Sequence, residues 1–317
     1  MGVGIEDQNL NNIVEQEHHG VKWLDVRAND PAVFERLKRD FHLHPLHLTE
    51  SMQKVQHTQV EREDDYLFFV LHFPLFDAVS YKVLIGQVGI FLGRDYLITI
   101  HMTECPTLEK LFDQCLHGHN FDKGSDHLLY ELIHRLLDNI AAMTDYVESE
   151  LDTLEDLVFY DDKSDALQIS KVRQKIVKLS RVIGPKRLIL EDLAQQIDSF
   201  SGRNVSRYYS SNAKTANRLW EVIEEAKETV EIYKDADFTT STEKTNKTLM
   251  LLTLVFTFTI PITVISTLYG MNVLLPGGIE AGSWLFLGKY TSFIILLVFC
   301  LVLTISMHFY FKKKKWF

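Results

Sequence analysis

The hydrophobic pattern divides the chain into three parts. Near the C-terminus, Leu249 to Tyr269 is 21 residues without a charge, enough to cross a hydrocarbon core of ~30 Å as a helix at ~1.5 Å per residue. A second uncharged run, Tyr290 to Phe311, brings the chain back, and Lys312 to Lys315, Trp316 and Phe317 end it. In the first third the period is short. Val21 to Arg27, Tyr66 to Phe73, Tyr81 to Phe91 and Tyr96 to His101 are rich in β-branched and aromatic residues and predict strands. Turn signals at Pro74 to Asp77 and at Gly93, Arg94 and Asp95 separate the last three. Pro31 to Phe41, opened by Asp30, has helical spacing, and residues 1 to about 20 are polar enough to predict a loose start.

From Ser125 the period lengthens. Asp126 to Phe159 and Ser164 to Asp198 carry apolar residues three and four apart, as in Leu129, Leu132, Leu136, Ile140 and Met143. Arg203 to Ile260 holds neither Gly nor Pro and runs into the first uncharged span without a breaker. One helix from about Ser206 to Tyr269 would measure roughly 95 Å and would need partners along its length. The alternative is two helices broken around Lys234 to Thr242, where helix formers are sparse; the continuous stalk is the preferred reading.

These periods predict an α+β domain over residues 1–120 with an antiparallel component, then an acidic helical hairpin over 121–202 and a stalk helix over 203–247. The first transmembrane helix follows at 248–270, an outer loop at 271–289, a second transmembrane helix at 290–311 and a basic tail at 312–317.

Charge sharpens this division. The chain carries a net −10, but residues 248–317 hold five lysines and one glutamate, which leaves −14 on residues 1–247. So acidic a segment suits cations and argues against a nucleic-acid partner. Lys244 and Lys247 precede the first span and four lysines follow the second, while the loop holds only Glu280 and Lys289. By the positive-inside rule both termini are cytoplasmic, in a cell membrane, with Trp284, Tyr290 and Trp316 as interfacial aromatics. The N-terminus has no basic region followed by an apolar run, so no cleavable signal is expected. Cys105, Cys115 and Cys300 form no CxxC pair, which fits a reducing compartment.

Several clusters carry candidate chemistry. His42, His44 and His47 could ligate zinc, or could be a loop entering a helix at Pro45. Glu61, Glu63, Asp64 and Asp65 are either a cation site at a subunit contact or a solvated strand entrance. Glu148 to Asp165 contains eight acids and one lysine, a solvated hairpin tip or a collector of divalent ions. In the first span, Asn246, Leu249, Thr253, Phe256, Ile260, Thr263, Thr267 and Gly270 share one helical face on which hydroxyls alternate with bulky apolar groups. Such a face could line a narrow conduit, or its hydroxyls could bond their own i−4 carbonyls or another helix. Two spans cannot enclose a pore, so a conduit requires several copies, with the nearly all-apolar second span facing lipid. No acid occurs between Glu243 and Glu280, so no carboxylate ring inside the bilayer would strip or trap an ion. That suits a cation keeping much of its hydration shell, as magnesium does.

At Tyr269-Gly270-Met271-Asn272 the chain resembles the CorA-type divalent-cation transporters, whose signature is Tyr-Gly-Met-Asn at the end of the first of two C-terminal spans. The resemblance extends to Pro261 nine residues before Gly270, the KKKKW tail, and the YLFFVLHFP and FLGRDYLITIH stretches. It implies a funnel-shaped homopentamer taking up magnesium, with cobalt or nickel as further cargo. Gly270, Met271 and Asn272 would form the outer selectivity ring, and Asn246, Thr263 and Thr267 would line the pore. Leu249, Leu252 and Ile260 would form a hydrophobic gate, and Asp235 an acidic, metal-binding ring in the stalk. Magnesium would be both cargo and regulator, closing the pore from acidic sites between cytoplasmic subunits; no organic cofactor is implied. The loop departs from the family's acidic Met-Pro-Glu-Leu type and reads VLLPGGIEAGSW, with Glu280 as its single acid. Thr267 stands where many relatives have Gly, and Ile260 where Met is common.

Three readings remain: a metal-gated channel, a proton-coupled zinc carrier on the same scaffold, and a membrane-anchored sensor or enzyme. The enzyme lacks support, with no Walker A loop, HExxH or GxSxG. A sensor would need neither the polar stripe nor the signature.

Overall fold

A computed structural model describes residues 13–18, 20–27, 31–53, 59–77, 82–115, 124–159, 166–271 and 291–313. The chain divides into two compact units, Met1–Asp237 and Phe238–Phe317.

The first unit is built on a six-stranded sheet with the order β1-β2-β6-β5-β4-β3. Its strands are β1 (Ile13–His18), β2 (Val21–Val26), β3 (Glu61–Arg62), β4 (Tyr66–Asp77), β5 (Lys82–Gly93) and β6 (Tyr96–His101). β2 and β6 run parallel and every other pairing is antiparallel. The segment before residue 20 is thus not wholly loose: Ile13 to His18 pairs with Val26 to Val21 and extends the sheet. The turn expected at Pro74 to Asp77 is also absent, because β4 runs through Pro74, opposite Ile85, to Asp77. β3 covers the outer edge of β4 only at Leu67 and Phe68, so at Pro74 no third strand asks for the missing N–H.

The continuous apolar run of β4 follows from burial on both faces. Tyr66, Phe68 and Val70 pack with Val33, Leu37, Leu43 and Leu48, which come from α1 (Pro31–Phe41), α2 (Pro45–Met52) and the link between them. Leu67, Phe69, Leu71 and Phe73 point the other way. They join a core with α3 (Pro106–Cys115), α4 (Ser125–Phe159) and α5 (Ala166–Ser201). Gly89 in β5 lets α2 lie close to the sheet, since a Cβ there would sit 2.3 Å from Ser51 Cβ.

α4 and α5 have the spacing read from their apolar positions; residues 160–165 of the acidic block between them lie outside the described residues. α5 continues through Gly184 and Pro185. Pro185 gives up one helical hydrogen bond. Gly184 makes room for the Trp220 ring, 2.9 Å from where its Cβ would stand.

The stalk is continuous. α6 runs unbroken from Ser206 to Gly270, through Lys234 to Thr242. Its start is set by Asp198, whose carboxylate accepts from Val205 N and Ser206 N at 2.7 Å each and from Ser206 Oγ at 2.6 Å. These bonds supply the partners that a helix N-terminus lacks, and the Ser206 hydroxyl chief among them holds the Asp198 carboxyl below its usual range. From Tyr209 to Tyr233 a stripe at three- and four-residue intervals is buried, including Ala213, Ala216, Leu219, Ile223, Ala226 and Val230. Polar bonds flank it: Ser180 donates to Glu224 at 2.9 Å, Asn217 to Glu191 at 2.7 Å, Tyr233 to Glu155 at 3.1 Å, and Arg173 pairs with Glu231.

The second unit contains the rest of α6 and α7 (Thr291–Lys313). Both helices are long and apolar enough to cross a membrane, and almost none of their apolar windows is buried.

Candidate functional site

The residues expected to form an ion pathway fall on α6 and the turn that ends it. Asn246, Leu249, Leu252, Ile260, Thr263 and Thr267 are all exposed, with Leu249 at 54% and Ile260 at 55%. Gly270 is the last helical residue, and Met271, also exposed, donates its N–H to Leu268 O at 3.3 Å. Asn272 and Glu280 lie outside the described residues. Asp235 is exposed on α6 within the first unit. From Asn246 to Thr267 the pathway candidates follow one another over about 30 Å of helix, the depth of a hydrocarbon core.

The threonines answer one question the sequence left open. Each hydroxyl donates to the carbonyl four residues back: Thr253 to Leu249 at 2.7 Å, Thr257 to Thr253 at 2.6 Å and Thr259 to Val255 at 2.9 Å. Thr263 bonds Thr259 at 2.8 Å and Thr267 bonds Thr263 at 2.7 Å. This is the local bond expected of Thr in an apolar helix. It does not remove the hydroxyls from the surface, because a donor turned inward leaves the oxygen's lone pairs facing out. Thr253, Thr263 and Thr267 therefore present acceptor oxygens, the groups a cation or its bound water wants.

Gly270 has a related property. A Cβ built there meets no heavy atom within 4 Å among the described residues, and its φ is not positive. Neither backbone conformation nor crowding within the described chain demands glycine at this point.

Two histidines of the other clusters are engaged within the protein. His44 caps α2, its Nδ1 accepting from Leu46 N at 3.2 Å. The buried His47 ring lies between Tyr66 OH at 2.8 Å and Glu61 Oε2 at 2.9 Å and stacks on Phe68. The His42 to His47 stretch is thus the helix entrance at Pro45, with two of its histidines occupied by protein partners. Glu63, Asp64 and Asp65 are exposed at the approach to β4. Among the described residues, no three His, Cys, Asp or Glu side chains are grouped to hold a metal ion.

Two buried polar sites were missed by the sequence reading. In the first, the fully buried Asp25 accepts from Thr99 at 2.7 Å, from Arg27 at 3.0 Å and from His101 Nε2 at 3.1 Å. His101 Nδ1 lies 2.7 Å from Thr103 O. A carboxylate and a carbonyl can only accept, so both ring nitrogens carry protons and His101 is an imidazolium. Burial opposes both charges. For Asp25, the bonds from His101, Thr99 and Arg27 win and hold it below its usual range; for His101, the Asp25 carboxylate wins and holds it above. In the second site Lys186 is 1% exposed and its Nζ has no hydrogen-bond partner among the described residues. Burial pulls it down to about 7, against a small opposing effect of Cys105. The alternation of β2 and β6 places Asp25, Thr99 and His101 inside, but pairing them needs the parallel β2–β6 register, in which Asp25 stands opposite Thr99. Lys186 sits at an apolar-stripe position of α5 between Ile183 and Ile189, the one signal that marked it in advance.

Residues 18–313 match the sequence model described as CorA-like Mg2+ transporter protein. The chain belongs to that family. It is a divalent-cation transporter of a membrane-protein family, not an enzyme. A putative metal ion transporter of Bacillus subtilis, YfjQ, is 26% identical over 98% of this chain and 96% of its own length. The cobalt/magnesium transport protein CorA of Thermotoga maritima is 24% identical over 93% of this chain and 83% of its own. In fold, the complete structure of the CorA magnesium transporter from Methanocaldococcus jannaschii superposes with a TM-score of 0.76 at 18% identity, covering 96% of this chain and 94% of that one. The cytoplasmic domain of ZntB from Vibrio parahaemolyticus gives 0.58 at 16% identity, over 70% of this chain and 88% of that one. These two likenesses concern architecture alone: an α+β domain, long helices and, in the full-length chain, two C-terminal apolar helices.

Proposed function

We infer that this CorA-family chain is the subunit of a homopentameric, funnel-shaped magnesium channel in the cell membrane, with both termini cytoplasmic. The observation that carries the reading is the exposed face of α6, where acceptor oxygens at Thr253, Thr263 and Thr267 alternate with Leu249, Phe256 and Ile260. One chain cannot wrap this face around an ion. Five copies of α6 about an axis can, with the apolar α7 outside against lipid. Rings of hydroxyl oxygen would exchange with the outer waters of a hydrated cation, and rings at Leu249, Leu252 and Ile260 would close the path by excluding water.

Gly270, Met271 and Asn272 form the outer selectivity ring in this reading, with the Asn272 amide oxygen facing the hydrated ion. Glycine at 270, without an intrachain reason among the described residues, has one if neighbouring subunits meet there. Asn246 lines the inner mouth and Asp235 adds an acidic ring in the stalk. Cytoplasmic magnesium bridging acids of neighbouring subunits would favour the closed state, and its loss would release the gate. The membrane potential supplies ~2.3 kcal/mol per charge per 100 mV, twice that for a divalent ion.

A proton-coupled zinc carrier is the second reading, supported by the likeness of the first unit to a ZntB domain and by a glycine-containing loop without the acidic motif. Flux into proteoliposomes holding the purified protein separates them. Magnesium, cobalt, nickel and zinc would be compared with and without a pH gradient. Magnesium flux driven by voltage alone and suppressed by millimolar magnesium on the cytoplasmic side is expected. Zinc flux that follows the proton gradient and ignores internal magnesium would replace the channel with the carrier.

A further inference from the structure

The second unit holds a groove near the lysine end of α7. It measures about 500 Å³ and is walled by Phe258 of α6 and by Thr304, Ile305, His308 and Phe309 of α7. Its walls are open surface and not packed core: Ile305 is 46% and Phe309 65% exposed. Phe258 meets Phe311 edge to face at 6.1 Å, which sets the level of α7 beside α6.

Polarity is graded along this face of α7. Ile305, His308, Phe309, Lys312 and Lys313 follow one another at three- and four-residue steps, so the two lysines of the last turn continue the face that lines the groove. His308 stands one turn before Lys312, and it is the one residue from Thr291 to Phe311 whose side chain can carry charge near neutral pH. An ionisable side chain within a membrane span marks a site with a polar partner. Over about 10 Å of helix the groove thus passes from ammonium to imidazole to hydrocarbon.

The lysines call for an anion that the second unit itself does not bring. Phe238–Phe317 carries seven lysines against two acids, Glu243 and Glu280. Glu280 lies beyond the far end of α6, and Glu243 precedes Phe258 by 15 residues, ~22 Å along the helix. A neighbouring copy related by rotation holds the same residues at the same level. Its spans would bring hydrocarbon to the groove but no carboxylate to Lys312 and Lys313.

We propose that this groove binds an anionic phospholipid, with the phosphate on Lys312 and Lys313, an ester carbonyl accepting from the His308 ring, and an acyl chain along Phe309, Ile305 and Phe258. The order of groups in the groove is that of the lipid read from its headgroup inward. Lysines at the end of a span attract acidic headgroups, and their ammonium groups make charge-assisted bonds to phosphate. The chain adds burial of exposed apolar side chains. A zwitterionic lipid offers the same chain and phosphate, but its own cation opposes the two lysines. This inference needs α7 to lie in a bilayer and stands whichever ion the chain carries.

The test is native mass spectrometry of the delipidated full-length protein in detergent, in buffer free of divalent ions. Phosphatidylglycerol and phosphatidylcholine with the same acyl chains would be titrated in turn. Saturable phosphatidylglycerol binding is expected, one per subunit and at least about tenfold tighter than phosphatidylcholine. The Lys312→Gln/Lys313→Gln variant should lose this preference. Lys244→Gln/Lys247→Gln, which removes two lysines of α6 away from the groove, should keep it. Phe309→Ala should weaken phosphatidylglycerol binding a few-fold, and it carries the comparison if gel filtration shows the first variant misassembled. Equal binding of the two lipids, equal losses in the two lysine variants, or unchanged binding in Phe309→Ala would each overturn the proposal. So would an intact oligomer that retains no lipid, which would give the groove to a neighbouring subunit.

Discussion

The two parts of α6 share one backbone conformation and solve opposite problems. Up to Tyr233 the helix buries a residue every third or fourth position, and its polar side chains bond to α4 and α5. From Phe238 to Met271 only Leu254 is buried, apolar side chains face outward and the threonines bond to their own helix. The first part is a core helix of a water-soluble domain, where burial of side chains drives folding. The second satisfies its polar groups internally, as a helix in hydrocarbon must, and leaves its apolar surface to lipid and to other helices. Helical periodicity is common to both; the solvent it is built for is not.

The largest effect that would sharpen this contrast concerns the turn after α6. Asn272→Ala should abolish magnesium uptake into proteoliposomes while gel filtration shows the same oligomer; undiminished transport would remove the selectivity ring from the reading. A matched pair then probes the two parts of the helix directly. Ile223, 1% exposed, should cost about 2–5 kcal/mol of first-unit stability when changed to alanine, measured by denaturant unfolding. Ile260→Ala, at 55% exposure, should change that stability by less than about 0.5 kcal/mol, yet raise the flux remaining at millimolar cytoplasmic magnesium. Equal losses of stability would break the comparison.

Buried charge in the first unit gives two pH dependences of opposite sign. Lys186 titrates near 7 when folded and in the usual lysine range when unfolded. The unfolded chain therefore binds the extra proton between these values, and stability from this group rises as pH rises through that window. Lys186→Met should remove that rise and stabilise the protein by about 1–4 kcal/mol below pH 7, read from thermal or denaturant melts. His101 acts the other way. Its raised folded value means that its stabilisation is complete below the ordinary histidine range and is lost as pH rises through the folded value. Asp25, held low, contributes above the ordinary carboxylate range and loses that contribution as pH falls through its folded value. His101→Gln should flatten the decline on the alkaline side and, because His101 leads the groups that hold Asp25 low, also weaken the acid limb, which Thr99 and Arg27 then sustain alone; an unaltered alkaline profile would refute the imidazolium assignment.

The smallest effect is expected at Thr263. Changing it to valine keeps the shape but removes the oxygen and its bond to Thr259. Flux should fall a few-fold, with little change in unfolding, as for the loss of one ring among several. A loss as complete as that of Asn272→Ala would move the selective position down the helix.

Much of this was legible in the chain itself. The lengths of the uncharged runs, the absence of breakers from Arg203 to Ile260 and the three- and four-residue spacing of α4 and α5 are local properties, and a helix reports them without reference to anything distant. The strands of the sheet could be read for the same reason, as could the run of α6 into a signature turn. Two local signals misled. Pro74 marks a turn by its chemistry, but a strand tolerates it where no neighbour needs its N–H, and which edge is free is decided by where β3 ends. The polar start of the chain gave no apolar alternation, yet Ile13 to His18 is held by backbone bonds to β2, which any side chains permit.

What only the tertiary structure decided are the meetings of residues far apart in sequence. Asp25 finds His101 through the β2–β6 register, and Glu150 finds Lys175 across the α4–α5 pair. Nothing local distinguishes a carboxylate that will be neutralised in this way from one left in water, nor Lys186 from a lysine on a surface. Secondary structure is written in spacing along the chain and so can be read there; pairing, burial and the charge left over after pairing depend on packing, and exist only once the elements are in place.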